Sequence, residues 1–322
     1  MIIRSQFKPL WYLKNPHLQT LFANLIHPRA PRVNYETLKL PDADTLQLAH
    51  GTARGKNTVL ILHGLEGSLQ SSYAERLVNA LNRKGIPVVF MFFRGCNGTP
   101  NRQLRSYHSG ETDDLRAVIA HLKEQGTQRI ALVGYSLGGN VVLKYMGEQQ
   151  TDEAVVCASA VSVPLLLDVC ARRMNRGFSR LYQYTLMQRL IKKVAQKKGL
   201  FSAAGYPASA AKLTNFVEFD NEFTAPLHGF KNAQHYYQSC SSRQFLNTIK
   251  KPTLMLHSRD DPFMTQAVIP EQHELAESVT LELSEHGGHV GFVSGGLLKP
   301  EFWLEQRIIK FLNRQFLSVE NV

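Results

Sequence analysis

No stretch of the sequence is apolar for long enough to cross a bilayer: the strongest uncharged run, residues 154–167, falls well short of the roughly 20 residues a spanning helix needs. A membrane-spanning protein is therefore not expected. The first residues, Met1-Ile-Ile-Arg-Ser-Gln-Phe-Lys-Pro, lack the basic segment, apolar core and small-residue cleavage site of a secretory leader, so a cytoplasmic location is expected. Cysteine is scarce. The four, at 96, 157, 170 and 240, show no C-x-x-C spacing and no metal-ligand neighbours, which argues against a zinc site or a disulfide framework and for free, mostly buried thiols. Internal repeats and low-complexity tracts are also missing.

Acid is in deficit, with 26 Asp+Glu against 37 Lys+Arg and a net charge of +11. The excess is local. Between Pro164 and Leu200 stand Arg172, Arg173, Arg176, Arg180, Arg189, Lys192, Lys193, Lys197 and Lys198, opposed only by Asp168. Such a segment suits a nucleic acid or a membrane surface, but no nucleic-acid motif or aromatic stacking platform accompanies it. No nucleic-acid partner is expected, and at most a peripheral membrane contact through the basic segment. Oligomeric state cannot be read from this pattern.

What the chain does have is a core: 322 residues, 43% apolar, are enough for one large domain or two modest ones. From Lys56 onward, apolar runs of strand length (58–62, 87–93, 129–133, 154–163) alternate with helical patterns (73–83, 112–124, 137–148). Continuously apolar strands alternating with helices predict an α/β fold: a mainly parallel twisted sheet with helices on both faces. The rhythm breaks from Pro164 to about Lys250, where helices but no buried strand are expected. It resumes with strands at 253–257 and 279–283, a helix near 266–277 and a last helix at 300–316. Residues 35–40 and 45–50 flank Pro-Asp-Ala-Asp and suit an antiparallel hairpin at one sheet edge. The expected organisation is therefore an N-terminal arm, hairpin and first part of the core in 1–163, a helical cap inserted at 164–248, and the rest of the core in 249–322.

Gly134-Tyr-Ser-Leu-Gly138 lies between a strand and a helix, the setting of a nucleophile elbow that lifts Ser136 above the sheet edge. A serine hydroxyl becomes a nucleophile only when a histidine takes its proton, and the histidine needs a carboxylate to set its tautomer. Both follow on later strands in the required order. After the strand at 253–257 come Asp260 and Asp261, and after that at 279–283 come His286 and His289. Asp261 is favoured because it immediately precedes Pro262 at the turn, which leaves Asp260 as a capping or supporting partner. His289 is favoured over His286 because two glycines let its loop approach the elbow. The oxyanion needs backbone donors: Leu137 follows the nucleophile, and Leu65 lies in the His63-Gly64 turn after the first parallel strand. The Arg94-Gly-Cys-Asn-Gly98 loop is a candidate pocket wall, though a plain turn is the commoner reading, and Asp113 and Asp114 read as first-turn helix acids. His17 and the Asn15-Pro16 turn suggest an N-terminal arm laid across the core. No cofactor and no metal is called for.

These residues resemble the α/β-hydrolase superfamily. Asn15-Pro-His-Leu-Gln-Thr20, Phe92-Phe-Arg-Gly-Cys-Asn-Gly98, Tyr107-His108-Ser-Gly110 and Gly287-Gly-His-Val-Gly-Phe292 further resemble its YheT-type subgroup, related to embryogenesis-associated and abhydrolase lipase-like proteins. The resemblance implies a serine carboxylic-ester hydrolase of esterase or lipase type, with acyl transfer as a further capability. It assigns the triad to Ser136, Asp261 and His289, and the substrate is a small-molecule or lipid ester. The rival is a non-catalytic ligand-binding or scaffolding protein on the same fold.

Overall fold

A computed structural model describes residues 1–296 and 299–317. Nine strands form one sheet: β1 (Ile2–Arg4), β2 (Asn34–Lys39), β3 (Thr45–His50), β4 (Asn57–Leu62), β5 (Val88–Met91), β6 (Arg129–Tyr135), β7 (Val155–Val161), β8 (Thr253–Ser258) and β9 (Val279–Ser284). Their order is β1-β9-β8-β7-β6-β4-β5-β3-β2, parallel from β1 through β5, with the β2–β3 hairpin joined antiparallel at the far edge.

The apolar strands follow from two-sided burial. Val59 and Ile61 of β4 point into a core shared with α2 (Ser72–Arg83) and the helix Trp303–Leu312. Leu60 and Leu62 point the other way, into a core shared with α3 (Asp113–Glu124) and α4 (Leu137–Gly147). A strand buried on both faces has no polar alternation to show.

The helical insertion lies between β7 and β8 and, among the described residues, contains no strand. Its main helices are α5 (Leu167–Met174) and α6 (Ser179–Gln196), followed by shorter ones including Ala233–Cys240. They build apolar clusters of their own, one around Tyr236 and Tyr237, another around Met187, Phe201 and Phe223.

Strand β1 is too short for a sequence pattern and forms only by pairing with β9, Ile2 opposite Leu281. Two expected helices differ in extent. The helix expected near 266–277 is two single turns, Gln266–Val268 and Gln272–Glu274. Pro270 stands between them, without an N–H and unfavourable to helical backbone at Ile269. The last helix begins at Trp303, because Pro300–Phe302 instead pairs antiparallel with Val293–Gly295.

The loop after β5 also differs from a simple pocket wall. Arg94 is buried, donating to both oxygens of Asp114 at 2.8 and 2.7 Å, to Asp42 at 2.7 Å and to Asp44 at 3.1 Å. Its guanidinium fork ties α3 to the hairpin turn, and of residues 94–98 Gly95 alone lines the cavity described below, the wall being formed by later residues of the same loop such as Leu104 and Tyr107. Asp113 and Asp114 do occupy the first turn of α3, with Asp114 additionally holding Arg94.

Candidate active site

The parallel strands end at one edge of the sheet, and the loops leaving that edge gather the candidate residues. Ser136 sits between β6 and α4 with φ 51° and ψ −117°, a left-handed backbone that a serine adopts only under constraint. The constraint is visible in its neighbours. A Cβ at Gly134 would lie 2.4 Å from the Gly138 carbonyl oxygen, and one at Gly138 would lie 2.4 Å from that of His63. Only glycine permits so tight a strand-to-helix turn packed on the β4 loop.

The histidine and the carboxylate arrive from β9 and β8. His289 Nε2 lies 3.0 Å from Ser136 Oγ, and His289 Nδ1 lies 2.8 Å from Asp261 Oδ2. The other Asp261 oxygen accepts the Phe263 amide at 2.9 Å, and the Phe263 ring stacks on the imidazole with centroids 3.9 Å apart. Carboxylate and ring thus fix the imidazole in one plane. Asp260 faces elsewhere, accepting the Gly288 amide at 3.0 Å and meeting His286 Nδ1 at 3.2 Å. The structure therefore brings Ser136, His289 and Asp261 into one line, while His286 and Asp260 brace the histidine loop.

The N-terminal arm braces the same loop. Asn15 caps α1 (Pro16–Leu25), Thr20 Oγ1 accepts the His289 amide at 2.9 Å, and Gln19 exchanges two hydrogen bonds with the Val293 backbone. Gly288 has φ 58°, and a Cβ there would meet the Pro16 carbonyl at 2.5 Å, so a glycine is required for α1 to lie this close.

Leu65 and Leu137 flank Ser136 from two sides. Leu137 is the first residue of α4, and its N–H has no helical acceptor. Around Leu65 the neighbouring amides are occupied: Gly64 N–H donates to the Tyr73 hydroxyl at 3.0 Å and Glu66 N–H to the Tyr107 hydroxyl at 2.8 Å. The Leu65 N–H between them has no partner among the described residues. Glu66 has φ 53°, and its carboxylate is held by Tyr107 and by Lys193 of α6, each at 2.8 Å. Tyr73, Tyr107, Phe263 and the Glu66–Lys193 pair were not singled out as site residues from the sequence. Only the Tyr107-His108-Ser-Gly110 motif hinted at one of them.

His63 is no proton shuttle. Burial pushes its pKa down to about 3, and its Nδ1 donates to the Gly64 carbonyl at 2.7 Å while Nε2 accepts the Phe93 amide at 3.1 Å. It is a neutral strut under the turn. His108, Glu111 and His228 bring ligand-type atoms within 4.8 Å of one another. The Gly110 amide, however, donates to His108 Nδ1 at 3.1 Å, so the proton of the neutral ring sits on Nε2, the atom facing Glu111 at 3.7 Å. A protonated nitrogen is a donor, which fits a polar wall better than a metal centre.

Above Ser136 opens a cavity of about 710 Å³ between the sheet edge and the insertion. Ser136, His289, Leu65 and Leu137 line its floor, and Met174, Leu186, Leu190, Phe219 and Phe223 its walls. Two lysines that reach it, Lys193 of α6 and Lys197 just after it, are already satisfied: Lys193 by Glu66 and Cys96, Lys197 by Asn101 and the carbonyls of Gln103 and Leu104. The interior is thus an apolar slot rather than an anion cradle.

A serine raised on a strand-to-helix turn, with histidine and acid on later loops at the same parallel edge, is the layout expected of an α/β-hydrolase fold. Comparison with known proteins agrees. A model of the alpha/beta hydrolase fold matches residues 57–296. YheT of Escherichia coli K12, whose name proposes an esterase, is 42% identical over 96% of this chain and 93% of its own length. The phospholipase ABHD3 of Mus musculus is 27% identical over 91% of this chain and 75% of that protein, and the monoacylglycerol lipase ABHD2 of Danio rerio is 26% identical over 97% and 80%. Among solved structures, the Pyrococcus furiosus esterase Pf2001 shares the fold with a TM-score of 0.56 at 21% identity, covering 89% of this chain and 91% of that one. The chain belongs to the α/β-hydrolase family, on the branch that includes YheT.

Proposed function

We propose that this protein is a serine carboxylic-ester hydrolase of esterase or lipase type. The observation that carries the reading is the unbroken line from Asp261 through His289 to Ser136, 2.8 and 3.0 Å long, at the floor of an apolar cavity. Ser136 Oγ attacks the ester carbonyl carbon as His289 Nε2 takes its proton. The oxyanion accepts hydrogen bonds from the Leu65 and Leu137 amides, which have no partner of their own to give up. Collapse breaks the bond to the alkoxide, which leaves with the proton from His289. Water then gives His289 a proton and attacks the acyl-enzyme, releasing the carboxylic acid and restoring Ser136. An alcohol in place of water would complete an acyl transfer by the same steps.

Residues 164–248 serve as the cap over this site. The cavity's size and apolar walls favour an ester with an acyl chain over a small polar one, and the lipid-hydrolase names among the relatives point the same way. The test is a panel of p-nitrophenyl esters of increasing chain length, with fluorophosphonate labelling alongside. Wild type should turn over at least one chain length and label, and Ser136→Ala should do neither while melting at the same temperature. A wild-type protein inert to every ester and to the probe would leave the scaffold reading in place.

A further inference from the structure

The helix α1 is amphipathic the wrong way round. Gln19, Thr20 and Ala23 are its buried residues, whereas Leu18, Leu21 and Leu25 are between 37% and 78% exposed. Spaced i, i+3 and i+7, the three leucines form one stripe on one face. A helix in water normally buries such a stripe. At the start of α6 the same occurs: Phe178, Leu181 and Tyr184 are 48%, 53% and 62% exposed. The two stripes adjoin, since the His17 ring of α1 lies 4.6 Å from that of Phe178 and its Nδ1 3.2 Å from the Tyr182 hydroxyl. Leu21 and Leu181 also line the cavity that holds Ser136, so the exposed patch runs into its mouth.

The charge around the patch has one sign. Residues 1–35 contain five Lys+Arg and no acid, and residues 169–217 contain ten and no acid. These two segments hold 15 of the 37 basic residues and none of the 26 acidic ones, leaving the rest of the chain with a slight negative balance. Arg173 anchors to Ser179 at the head of α6, next to Phe178, while Arg176 and Arg180 are exposed and form no ion pair among the described residues.

We propose that this face docks on an anionic lipid surface, the leucine stripes entering the acyl boundary and the arginines pairing with headgroup phosphates, so that the cavity opens onto the leaflet. An apolar stripe rimmed by cations is what such a boundary stabilises. A second copy of the chain fits poorly, because two surfaces of the same strong charge repel, and a nucleic acid would leave the leucines unsatisfied. Docking does not depend on the ester chemistry and is tested without it.

The experiment is co-sedimentation of the full chain with vesicles of phosphatidylcholine alone or mixed with phosphatidylglycerol, at rising salt. The wild type should sediment with the mixed vesicles several-fold more than with the neutral ones, and added salt should weaken but not abolish this. Leu25→Ser with Tyr184→Ser, and separately Arg176→Gln with Arg180→Gln, should each cut the bound fraction about fivefold. Both pairs should keep wild-type turnover of a short soluble ester, because none of the four residues lines the cavity. Failure of the wild type to sediment with mixed vesicles, or sedimentation unchanged in both variants, overturns the proposal. So does a solution dimer that Leu25→Ser dissolves, or nucleic acid that displaces the protein from vesicles at equal phosphate.

Discussion

In the core, β6 buries six of its seven residues and α4 buries ten of eleven, whereas α6 in the insertion buries only Ser179, Gln183, Met187 and Val194 of its eighteen. The core is held by apolar contact on two sides of a sheet. The insertion packs Leu165, Cys170 and Leu246 into that core, and α6, mostly exposed, adds a set of polar ties. Lys193 holds Glu66, Arg189 donates to the Glu66 carbonyl at 3.2 Å, Lys197 gathers carbonyls of the 101–104 loop, and Ser179 Oγ donates to the Pro262 carbonyl at 2.6 Å. Each tie ends on a loop at the carboxyl edge of the sheet. The difference is one of rigidity: the proposed catalytic residues sit on elements locked by packing, whereas α6 above them is held largely by hydrogen bonds and ion pairs.

That division can be broken or sharpened by substitution. The largest effect should come from the core acids. Asp261→Asn should lower kcat on the order of 10⁴-fold on esters of every chain length, because the amide presents the wrong partner to His289 Nδ1. Asp260→Ala, which removes the braces on Gly288 and His286 but no contact to His289, should cost roughly a hundredfold less. Initial-rate kinetics on two ester lengths would decide it, and an exchange of the two effects would exchange their roles.

A smaller effect is expected where insertion and core meet. Tyr107→Phe keeps the stacking on Phe93, whose centroid lies 4.9 Å away, but removes the acceptor for Glu66 N–H and a donor to the carboxylate that Lys193 grips. With the Leu65 peptide less firmly oriented, kcat should fall about tenfold at nearly unchanged KM, the loss of roughly one hydrogen bond's worth of orientation. A rise in KM with kcat intact would place Tyr107 in binding instead.

The smallest effect concerns stability within the insertion. Burial raises Asp220 from its usual 3.8 to about 6, although the Tyr237 hydroxyl donates to it at 2.6 Å. Between those values the folded chain keeps a proton that the unfolded chain has released. The fold is therefore most stable with respect to this group below pH 4, and loses about 2 kcal/mol as pH rises through 6, allowing for partial solvent access of the carboxylate. Asp220→Asn should melt higher than wild type at pH 7.5, with the gain shrinking towards pH 4. Thermal denaturation at the two pH values measures it, and an equal shift at both would contradict a titrating Asp220.

The same contrast explains what the sequence could reveal. Strands apolar on both faces declare themselves, and so does a serine between two glycines at a strand end, because each follows from local geometry. Pro262 fixes the turn after Asp261, and this turn points the Asp261 carboxylate at His289 and the Asp260 carboxylate at Gly288. Long-range pairings left no local trace: β1 exists only beside β9, and the Tyr73 and Tyr107 hydroxyls reach the 64–66 turn from distant elements. In the insertion, helical stretches could be read but not their orientation. Of the apolar residues interleaved with its basic ones, Met174 and Met187 are buried, Phe178, Leu181 and Tyr184 face out, and Leu186 and Leu190 line the cavity. Helical periodicity does not distinguish a face turned to solvent from one turned to the core.

The contacts that Gln19 and Thr20 make with the 289–293 loop span some 270 positions of chain. The helix α1 cannot take its place against this loop until the chain between them has folded. Contacts this distant in sequence form late, since the whole intervening chain must close upon them. Most of the sheet can thus form while His289 still lacks its brace, so the geometry around Ser136 is among the last parts of the fold to be set.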